Sequence, residues 1–215
     1  MIPELKDAEL AAVIGPVASG KTFLLKKWLS GLPRVAVFDP TGEYDDIPAE
    51  HFWGTPKAFV EYLEKNPNRF MAVYHPGENL EEGFEWVASA MWQLSEPRFL
   101  FIEEIHELIS PWNRHPKMKL IMKYCRKRLL GVVGSTQRLA DLHKDFTSAS
   151  RLSVIFHTNE PRDLDSIRER WGAEAEQTVN ELRPLVYDDV NGTTSQTPEA
   201  LVFVRGSAPV KMEIG

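Results

Sequence analysis

Apolar runs alternate along this chain with segments whose apolar positions recur every three or four residues. Short, fully apolar runs are typical of strands buried in a parallel sheet, and the longer spacing indicates amphipathic helices. The predicted strands are residues 10–14, 34–39, 70–74, 99–102, 129–136 and 150–157, with a terminal hairpin of 201–205 and 210–214. The predicted helices follow residue 22, span 56–64 and 80–94, and begin at 116 and 163, while 187–199 reads as a polar loop. This alternation predicts an α/β fold in which helices flank a mostly parallel central sheet.

The length of 215 residues fits one α/β domain, residues 1–215, and is short for two. The contents of 43% hydrophobic and 26% charged residues are ordinary for a soluble globular protein. No apolar run approaches the roughly 20 residues that span a bilayer, and residues 1–7 lack a signal-peptide pattern. The single Cys125 favours a reducing compartment, and the net charge of −6 argues against coating nucleic acid by bulk charge. We therefore expect a cytoplasmic protein without a transmembrane segment.

A glycine-rich stretch between the first predicted strand and the first predicted helix carries the most specific motif. It follows the pattern G-x-x-x-x-G-K-[ST], in which backbone N–H groups converge on phosphate oxygens at the positive end of a helix. Its residues are Gly15, Pro16, Val17, Ala18, Ser19, Gly20, Lys21 and Thr22. In this pattern the lysine reaches the β- and γ-phosphates, and the Thr22 hydroxyl ligates Mg²⁺. The stretch predicts a P-loop that binds ATP and Mg²⁺.

Two acidic residues follow the second predicted strand. A carboxylate just beyond the end of a parallel strand lies where open α/β sheets bind ligands, so Asp39 and Glu43 are candidates for the nucleotide or Mg²⁺ neighbourhood. The alternative is turn chemistry, because Asp-Pro-x-Gly is also a common turn sequence. The two interpretations are balanced for Asp39, whereas the turn is favoured for Glu43.

Two further carboxylates, Glu103 and Glu104, come directly after the apolar run of residues 99–102. A buried strand that delivers acids to the sheet edge beside a P-loop is the Walker B form. Glu103 would then hold the Mg²⁺ shell through water, and Glu104 would act as general base on the attacking water. Gln137, at the end of the strand predicted over 129–136, would orient that water or sense the γ-phosphate. The Walker B pattern usually has Asp at its first acidic position, which leaves the detailed role of the longer Glu103 open.

A segment without acidic residues, 108–140, contrasts with the net negative charge of the chain. Its basic residues are Arg114, Lys117, Lys119, Lys123, Arg126, Lys127, Arg128 and Arg138. A helix from residue 116 would have one basic and one apolar face. The basic face is Lys119, Lys123, Arg126 and Lys127, and the apolar face is Met118, Ile121, Cys125 and Leu129.

Three interpretations of this segment stay open. It would contact the phosphate backbone of DNA, supply a cation to the nucleotide of a neighbouring subunit, or form a solvated face. The candidates for DNA contact are Arg114, Lys117, Lys119 and Lys123.

The order of these motifs resembles the FtsK–HerA superfamily of P-loop ATPases, a group with a RecA-like (ASCE) core. The resemblance runs from about residue 13 to residue 214. Beyond the P-loop it rests on the Asp-Pro-Thr-Gly-Glu-Tyr sequence within residues 37–44, on residues 102–107 and on the Thr-Gln-Arg sequence within 131–138. A bare module of this size resembles the genome-packaging ATPases of membrane-containing icosahedral viruses.

The resemblance implies a ring hexamer that pumps double-stranded DNA through a central pore and holds ATP between subunits. An arginine from one subunit would complete the neighbour's site; Arg126 fits that position best, with Arg128 and Arg151 as rivals. A packaging motor would work in the cytoplasm of an infected host cell or on the virion, with a capsid or membrane vertex protein as a further partner. The alternatives are a related motor that moves protein or single-stranded DNA, and a non-motor ATP-dependent switch.

Overall fold

A mixed β-sheet lies at the centre of the computed structural model, which describes residues 3–188 and 193–215. The strands in this part of the chain are β1 (Leu10–Ile14), β2 (Arg34–Phe38), β3 (Glu50–Trp53), β4 (Phe70–His75), β5 (Arg98–Ile102), β6 (Leu130–Thr136), β7 (Leu152–Phe156), β8 (Val186–Asp188), β9 (Thr193–Gln196), β10 (Glu199–Val204) and β11 (Val210–Glu213). The central sheet has the order β11-β10-β7-β1-β6-β5-β2-β4-β3, and β8 pairs with β9 apart from it.

All neighbouring strands from β7 to β3 are parallel, whereas β10 is antiparallel to both β7 and β11. The predicted mostly parallel sheet and the predicted terminal hairpin are therefore confirmed. The order also inserts β6 between β1 and β5. As a result, the segments that follow β1, β6, β5 and β2 meet at the carboxyl ends of the parallel strands, where open α/β sheets bind ligands.

Helices cover both faces of the sheet. They are α1 (Lys21–Ser30), α2 (Lys57–Lys65), α3 (Leu80–Gln93), α4 (Pro116–Tyr124), α5 (Lys144–Ala149), α6 (Pro161–Trp171) and α7 (Ala173–Asn180). Apolar side chains of α1 join one core cluster, and those of α2 to α7 join the other. Strand β1 is buried on both faces, since Ala11 and Val13 face the first cluster while Ala12 and Ile14 face the second. Within the described residues, the helices lack the length and hydropathy needed to cross a bilayer.

The sequence prediction is wrong in the region of the basic helix. Helix α4 ends at Tyr124, and a short 3-10 turn over Arg126–Arg128 replaces its expected continuation. Leu129, expected on the buried face, has a left-handed backbone (φ 53°) and is 41% exposed. Met118, Ile121 and Cys125 are buried as expected. The turn breaks the helical periodicity, so the basic residues of the turn do not continue the face of Lys119 and Lys123.

Strands β3, β8 and β9 are absent from the sequence prediction. Strand β3 forms the edge of the sheet, and its residues are exposed or half-buried, so they lack an apolar run. Part of the predicted loop 187–199 is strand instead, because β8 and β9 pair across it. Residues 189–192 of that loop lie outside the described residues.

Candidate functional site

The P-loop lies between the end of β1 and the start of α1, and its backbone shape requires small residues. A Cβ atom on Gly15 would lie 2.7 Å from Oγ of Ser19 and 2.8 Å from Cβ of Phe156. Gly20 has a positive φ of 103°, a conformation that side chains disfavour. Ala18 also has a left-handed backbone, with φ 56°. These close approaches and turns wrap the loop around the N-terminus of α1, where a helix favours anions.

Two polar groups of the P-loop face inward. Oγ of Ser19 is buried and, within the described part of the chain, has no hydrogen-bond partner. The Lys21 ammonium donates a hydrogen bond to the carbonyl oxygen of Pro16 at 2.9 Å. Burial lowers the pKa of Lys21, against the opposing effect of nearby carboxylates, first among them Glu103 and Glu104. A buried cation and an unused donor at a helix N-terminus are the groups that phosphate oxygens would satisfy.

Glu103 lies at the end of β5 and is held by two hydroxyl groups. Tyr44 donates a hydrogen bond to its Oε2 atom at 3.1 Å, and Ser135, on the adjacent β6, donates a second to the same oxygen. Burial raises the pKa of Glu103 to about 6, although the Ser135 hydrogen bond and the charge of Lys21 oppose the rise. Burial and the negative charge of Glu103 raise the pKa of the Tyr44 phenol well above its usual value, so it remains a donor.

Glu104, the next residue, has a left-handed backbone (φ 48°, ψ 49°), and its side chain has different partners from that of Glu103. Its Oε2 atom accepts a hydrogen bond from the backbone N–H of Gln137 at 3.3 Å and lies 3.2 Å from Nδ1 of His106. Burial alone would raise the pKa of Glu104, but these partners reverse the shift and lower it. The same contact raises the pKa of His106.

The two neighbouring glutamates therefore differ in proton affinity. Glu103 keeps its proton up to a higher pH than an ordinary glutamate, whereas Glu104 gives its proton up at a lower pH and is held as an anion that can accept one. Pairs of carboxylates whose pKa values are pushed apart are typical of sites that divide acid, base and ligand roles.

The turn after β2 brings a third carboxylate to the site. Asp39 is buried, and its Oδ1 atom accepts hydrogen bonds from the backbone N–H groups of Thr41 and Gly42, while Oδ2 accepts one from Tyr44. Asp39 thereby builds the turn. Oε2 of Glu43 accepts a hydrogen bond from the Thr22 hydroxyl at 3.3 Å. The favoured assignment of Glu43 to the turn is thus incomplete, because its side chain reaches the P-loop.

Sequence reasoning assigned no role to Tyr44, Ser135 or His106. Tyr44 is the last residue of the Asp-Pro-Thr-Gly-Glu-Tyr sequence, and His106 lies two residues after Glu104. Both could have been proposed as site residues because they are close in sequence to candidates. Ser135 had no such signal, since its role depends on the pairing of β5 with β6.

A mainly apolar cavity of about 140 Å³ opens beside the P-loop. Gly20 and Phe23 line it on one side, and Pro198 and Ile214, from the C-terminal strands and their approach, line it on the other. The Phe23 ring is 46% exposed. The cavity places a flat apolar surface within one turn of the phosphate-binding backbone.

The three arginine candidates lie at the opposite end of the parallel strands from the P-loop, near the amino ends of β6 and β7. Nε of Arg151 lies 2.8 Å from Glu9, just before β1, and Arg126 lies 3.7 Å from the same carboxylate. The Arg128 guanidinium lies over the ring of Trp92 at 4.9 Å. The length of strand β6 separates the amino ends of the strands from the carboxyl ends, where the P-loop lies, by about 20 Å, given a rise of about 3.3 Å per residue. None of these three side chains reaches the P-loop of the same chain.

The DNA-contact candidates differ in whether a carboxylate pairs with them. Arg114 is paired with Asp145 at 2.7 Å, and Lys117 is paired with Glu85 at 3.0 Å. Lys119 and Lys123 lie on α4, and both are exposed. The ammonium of Lys123 lies over the ring of Tyr124 at 5.2 Å. Of the four, Lys119 and Lys123 are the better placed to meet a phosphate backbone, because no carboxylate within the described residues pairs with them at salt-bridge distance.

No protein-family model and no curated protein matches this chain. Solved structures resemble it, however. The genome packaging NTPase B204 of Sulfolobus turreted icosahedral virus 2, in complex with AMPPCP, is 20% identical and has a TM-score of 0.76 over 96% of this chain and 97% of that chain. The DNA-packaging ATPase B204 of Sulfolobus turreted icosahedral virus is 19% identical, with a TM-score of 0.72 over 100% of both chains. The cytoplasmic domain of the type VII secretion ATPase EccC of Thermomonospora curvata is 13% identical, with a TM-score of 0.55 over 95% of this chain and 25% of that one.

This chain has the P-loop ATPase fold. The strand order, the loop between β1 and α1, and the similarity along nearly the whole length of the viral packaging NTPases agree on that assignment. The resemblance to packaging ATPases of icosahedral viruses that the sequence predicted is confirmed at the level of the fold. The P-loop and the side chains of Asp39, Glu103 and Glu104 lie at the carboxyl ends of the parallel strands of this fold.

Proposed function

We propose that this protein is an ATPase whose hydrolysis of ATP drives the translocation of double-stranded DNA. One observation carries the ATPase part: a buried lysine, an unused buried hydroxyl and two glutamates of opposite pKa shift meet at the N-terminus of α1. The translocation part is supported by the similarity to viral genome-packaging NTPases along nearly the full length of both chains.

The residues of the site divide the work of binding and hydrolysis. The backbone of residues 15–20 and the Lys21 ammonium bind the phosphates, and the hydrogen bond from Lys21 to Pro16 is exchanged for one to a phosphate oxygen. The Thr22 hydroxyl and, through water, Glu103 would hold Mg²⁺, which neutralises charge on the phosphates when bound. Glu104 accepts the proton of the attacking water, and Gln137, tied to Glu104 through its backbone, faces the γ-phosphate.

The adenine base occupies the cavity beside the P-loop. Its flat apolar ring suits the space between Phe23 and Pro198, and Gly20 connects that space directly to the phosphate-binding turn. Asp39 contributes through the turn it builds, which carries Glu43 to the Thr22 hydroxyl.

A second copy of the chain completes the site. The arginines lie near the amino ends of the parallel strands, far from the P-loop of the same chain, and this distance supports a role across a subunit boundary. Arg126 is the first candidate because its side chain is 66% exposed. A closed ring of subunits places each such arginine at the next subunit's nucleotide. We infer a ring, expected to be a hexamer, around the DNA.

The experiment that tests this function measures the ATPase rate of the purified chain with and without duplex DNA over a range of salt. We expect DNA to raise turnover, and the effect to weaken with salt because phosphate contacts release counterions. Substituting both Lys119→Glu and Lys123→Glu should weaken the stimulation. The matched control, Lys57→Glu with Lys65→Glu, makes the same charge change on α2 and should preserve it.

Turnover that is equal with and without DNA at every salt concentration would contradict the translocation proposal. It would leave the ATPase proposal standing on the basal rate. A chain that hydrolyses no ATP under any of these conditions would contradict both.

A further inference from the structure

A second cluster of metal-ligating side chains lies away from the proposed phosphate site. It joins Asp45, in the loop after β2, to His51 on β3 and to His75 at the end of β4. One ligand atom from each residue lies within 4.8 Å of the others. The proposed ATPase function uses none of these three side chains.

Nδ1 of His51 directs a lone pair at Nε2 of His75, 3.2 Å away, and Zn²⁺ would replace the proton that these two nitrogens share. Nε2 of His51 lies 3.3 Å from the carbonyl oxygen of Ile47, which only accepts, so Nε2 carries the proton and Nδ1 is an acceptor. Nδ1 of His75 lies 3.8 Å from a carboxylate oxygen of Asp39. An imidazole that turns one nitrogen toward a carboxylate and the other into a cluster has the arrangement of many zinc-bound histidines.

The distances fit the coordination shell of a small divalent ion. Nδ1 of His51 and Nε2 of His75 are 3.2 Å apart, and Oδ1 of Asp45 lies 3.5 Å from Nε2 of His75. Ligands of a tetrahedral zinc ion with bonds of about 2.0 to 2.1 Å are separated by about 3.3 Å. Two nitrogen donors and one carboxylate favour Zn²⁺ over Mg²⁺, which prefers oxygen.

The surroundings also hold the rings in place. The Trp53 ring stacks on His75 with a centroid distance of 5.0 Å and an interplanar angle of 11°, and it lies 5.8 Å from His51. The His75 side chain is only 10% exposed, whereas Asp45 is 67% exposed and leaves the site open on one side. The cluster is thus rigid on its protein side and accessible from solvent.

We propose that Asp45, His51 and His75 form a Zn²⁺ site that fastens the loop after β2 to the edge strand β3 and its neighbour β4. The same loop carries Glu43, which contacts Thr22, and Tyr44, which contacts Glu103. Zinc at this position therefore stiffens the loop that connects the sheet edge to the phosphate site.

Zinc titration of the chelator-treated full chain, without nucleotide, tests the site. The wild-type chain is expected to bind one equivalent of Zn²⁺ with a micromolar or lower Kd. His51→Ala and Asp45→Asn, which change partly exposed side chains, are each expected to weaken binding at least tenfold. Asp46→Asn, which removes the neighbouring acid that pairs with Lys26, is the matched control and is expected to bind like the wild type.

A second readout separates a defined site from scattered carboxylates. One equivalent of Co²⁺ should give visible ligand-field absorption in the wild type and in Asp46→Asn, and lose it in the two ligand variants. Zinc should likewise raise the unfolding temperature of the first pair only. Unsaturable zinc binding by the wild type, or equal binding by the wild type and both ligand variants, overturns the proposal. Because nucleotide is omitted, neither outcome bears on the ATPase proposal.

Discussion

The Tyr44 hydroxyl donates a hydrogen bond to Glu103 at 3.1 Å and so joins the turn after β2 to the end of β5. The two residues are far apart in the chain, but β2 and β5 are adjacent parallel strands, which brings their carboxyl ends together. The bond stabilises the ionised form of Glu103 against burial, which favours the protonated form.

Tyr44→Phe should therefore raise the pKa of Glu103 further above its value of about 6. If ionised Glu103 is needed for turnover, the acidic limb of the kcat/KM profile moves to higher pH, and the rate well above that limb is less affected. A pH–rate series from 5 to 9 measures the shift. Tyr62→Phe, on α2, is the control and should leave the profile in place, and an unmoved profile for Tyr44→Phe would separate Tyr44 from the chemistry.

Glu103→Gln should make the free protein more stable while abolishing turnover. The pKa of Glu103 is raised in the folded state, so the folded protein holds the proton more tightly than the unfolded chain. Stability should consequently increase as the pH falls from about 7 through about 6 toward the ordinary glutamate range. A shift of this size corresponds to about 2 kcal/mol.

In Glu103→Gln that pH dependence should flatten, because glutamine stays neutral and its carbonyl still accepts hydrogen bonds from Tyr44 and Ser135. Chemical unfolding of both proteins between pH 5 and pH 8, without nucleotide, measures the difference. A variant that is less stable than the wild type at pH 8 would show that Glu103 stabilises the empty site instead of straining it.

Much of this site could be predicted from local sequence. The P-loop and the Glu103–Glu104 pair each follow an apolar run, and their meeting requires only that these strands be parallel and close together in one sheet. Glu43 could not be assigned in the same way, because its backbone belongs to the turn that Asp39 builds while its side chain contacts Thr22. The sequence pattern indicates the turn but not the direction of the side chain. Leu129 was misplaced because the chain leaves the helix after Tyr124 and passes through a 3-10 turn, where the N–H of Leu130 donates to the carbonyl of Cys125. Local periodicity does not record such a turn. Nor does any local pattern connect His51 with His75, since β3 is a short edge strand without an apolar run.

Glu104→Gln should bind ATP but hydrolyse it at least about a hundredfold more slowly, because general-base catalysis contributes about 10² to 10⁴ in rate. The change is nearly isosteric, and the carbonyl oxygen of the new amide would still accept a hydrogen bond from the N–H of Gln137. Equilibrium binding of ATP and single-turnover hydrolysis distinguish the two effects. Glu107→Gln is the matched control, since the Glu107 side chain is 59% exposed and its carboxylate lies 3.3 Å from Nε2 of His106, the ring nitrogen that does not contact Glu104. A Glu104→Gln protein with the wild-type rate would place the base elsewhere.

The location of Arg126 leads to a prediction about mixed assemblies. Arg126→Ala and Glu104→Gln should each be inactive alone, for different reasons: the first lacks the cation offered to its neighbour, and the second lacks its own base. In a mixed ring, however, an Arg126→Ala subunit retains Glu104 and can receive an intact Arg126 from an adjacent Glu104→Gln subunit. Mixing the two inactive proteins should therefore restore ATPase activity, up to about a quarter of the sites in a random equimolar ring.

The control mixes Glu104→Gln with Arg162→Ala, an exposed arginine that pairs with Asp141 within its own chain. Arg162→Ala should be active alone, and its mixture should show only dilution. The same complementation test, repeated with Arg128→Ala and Arg151→Ala, identifies the arginine that acts across the boundary. Arg151 has a closer ion pair with Glu9 than Arg126 has, so we expect its loss to reduce stability more than complementation. Recovery of activity by mixing is possible only if one subunit completes the site of another, and its failure for all three arginines would leave each subunit working alone.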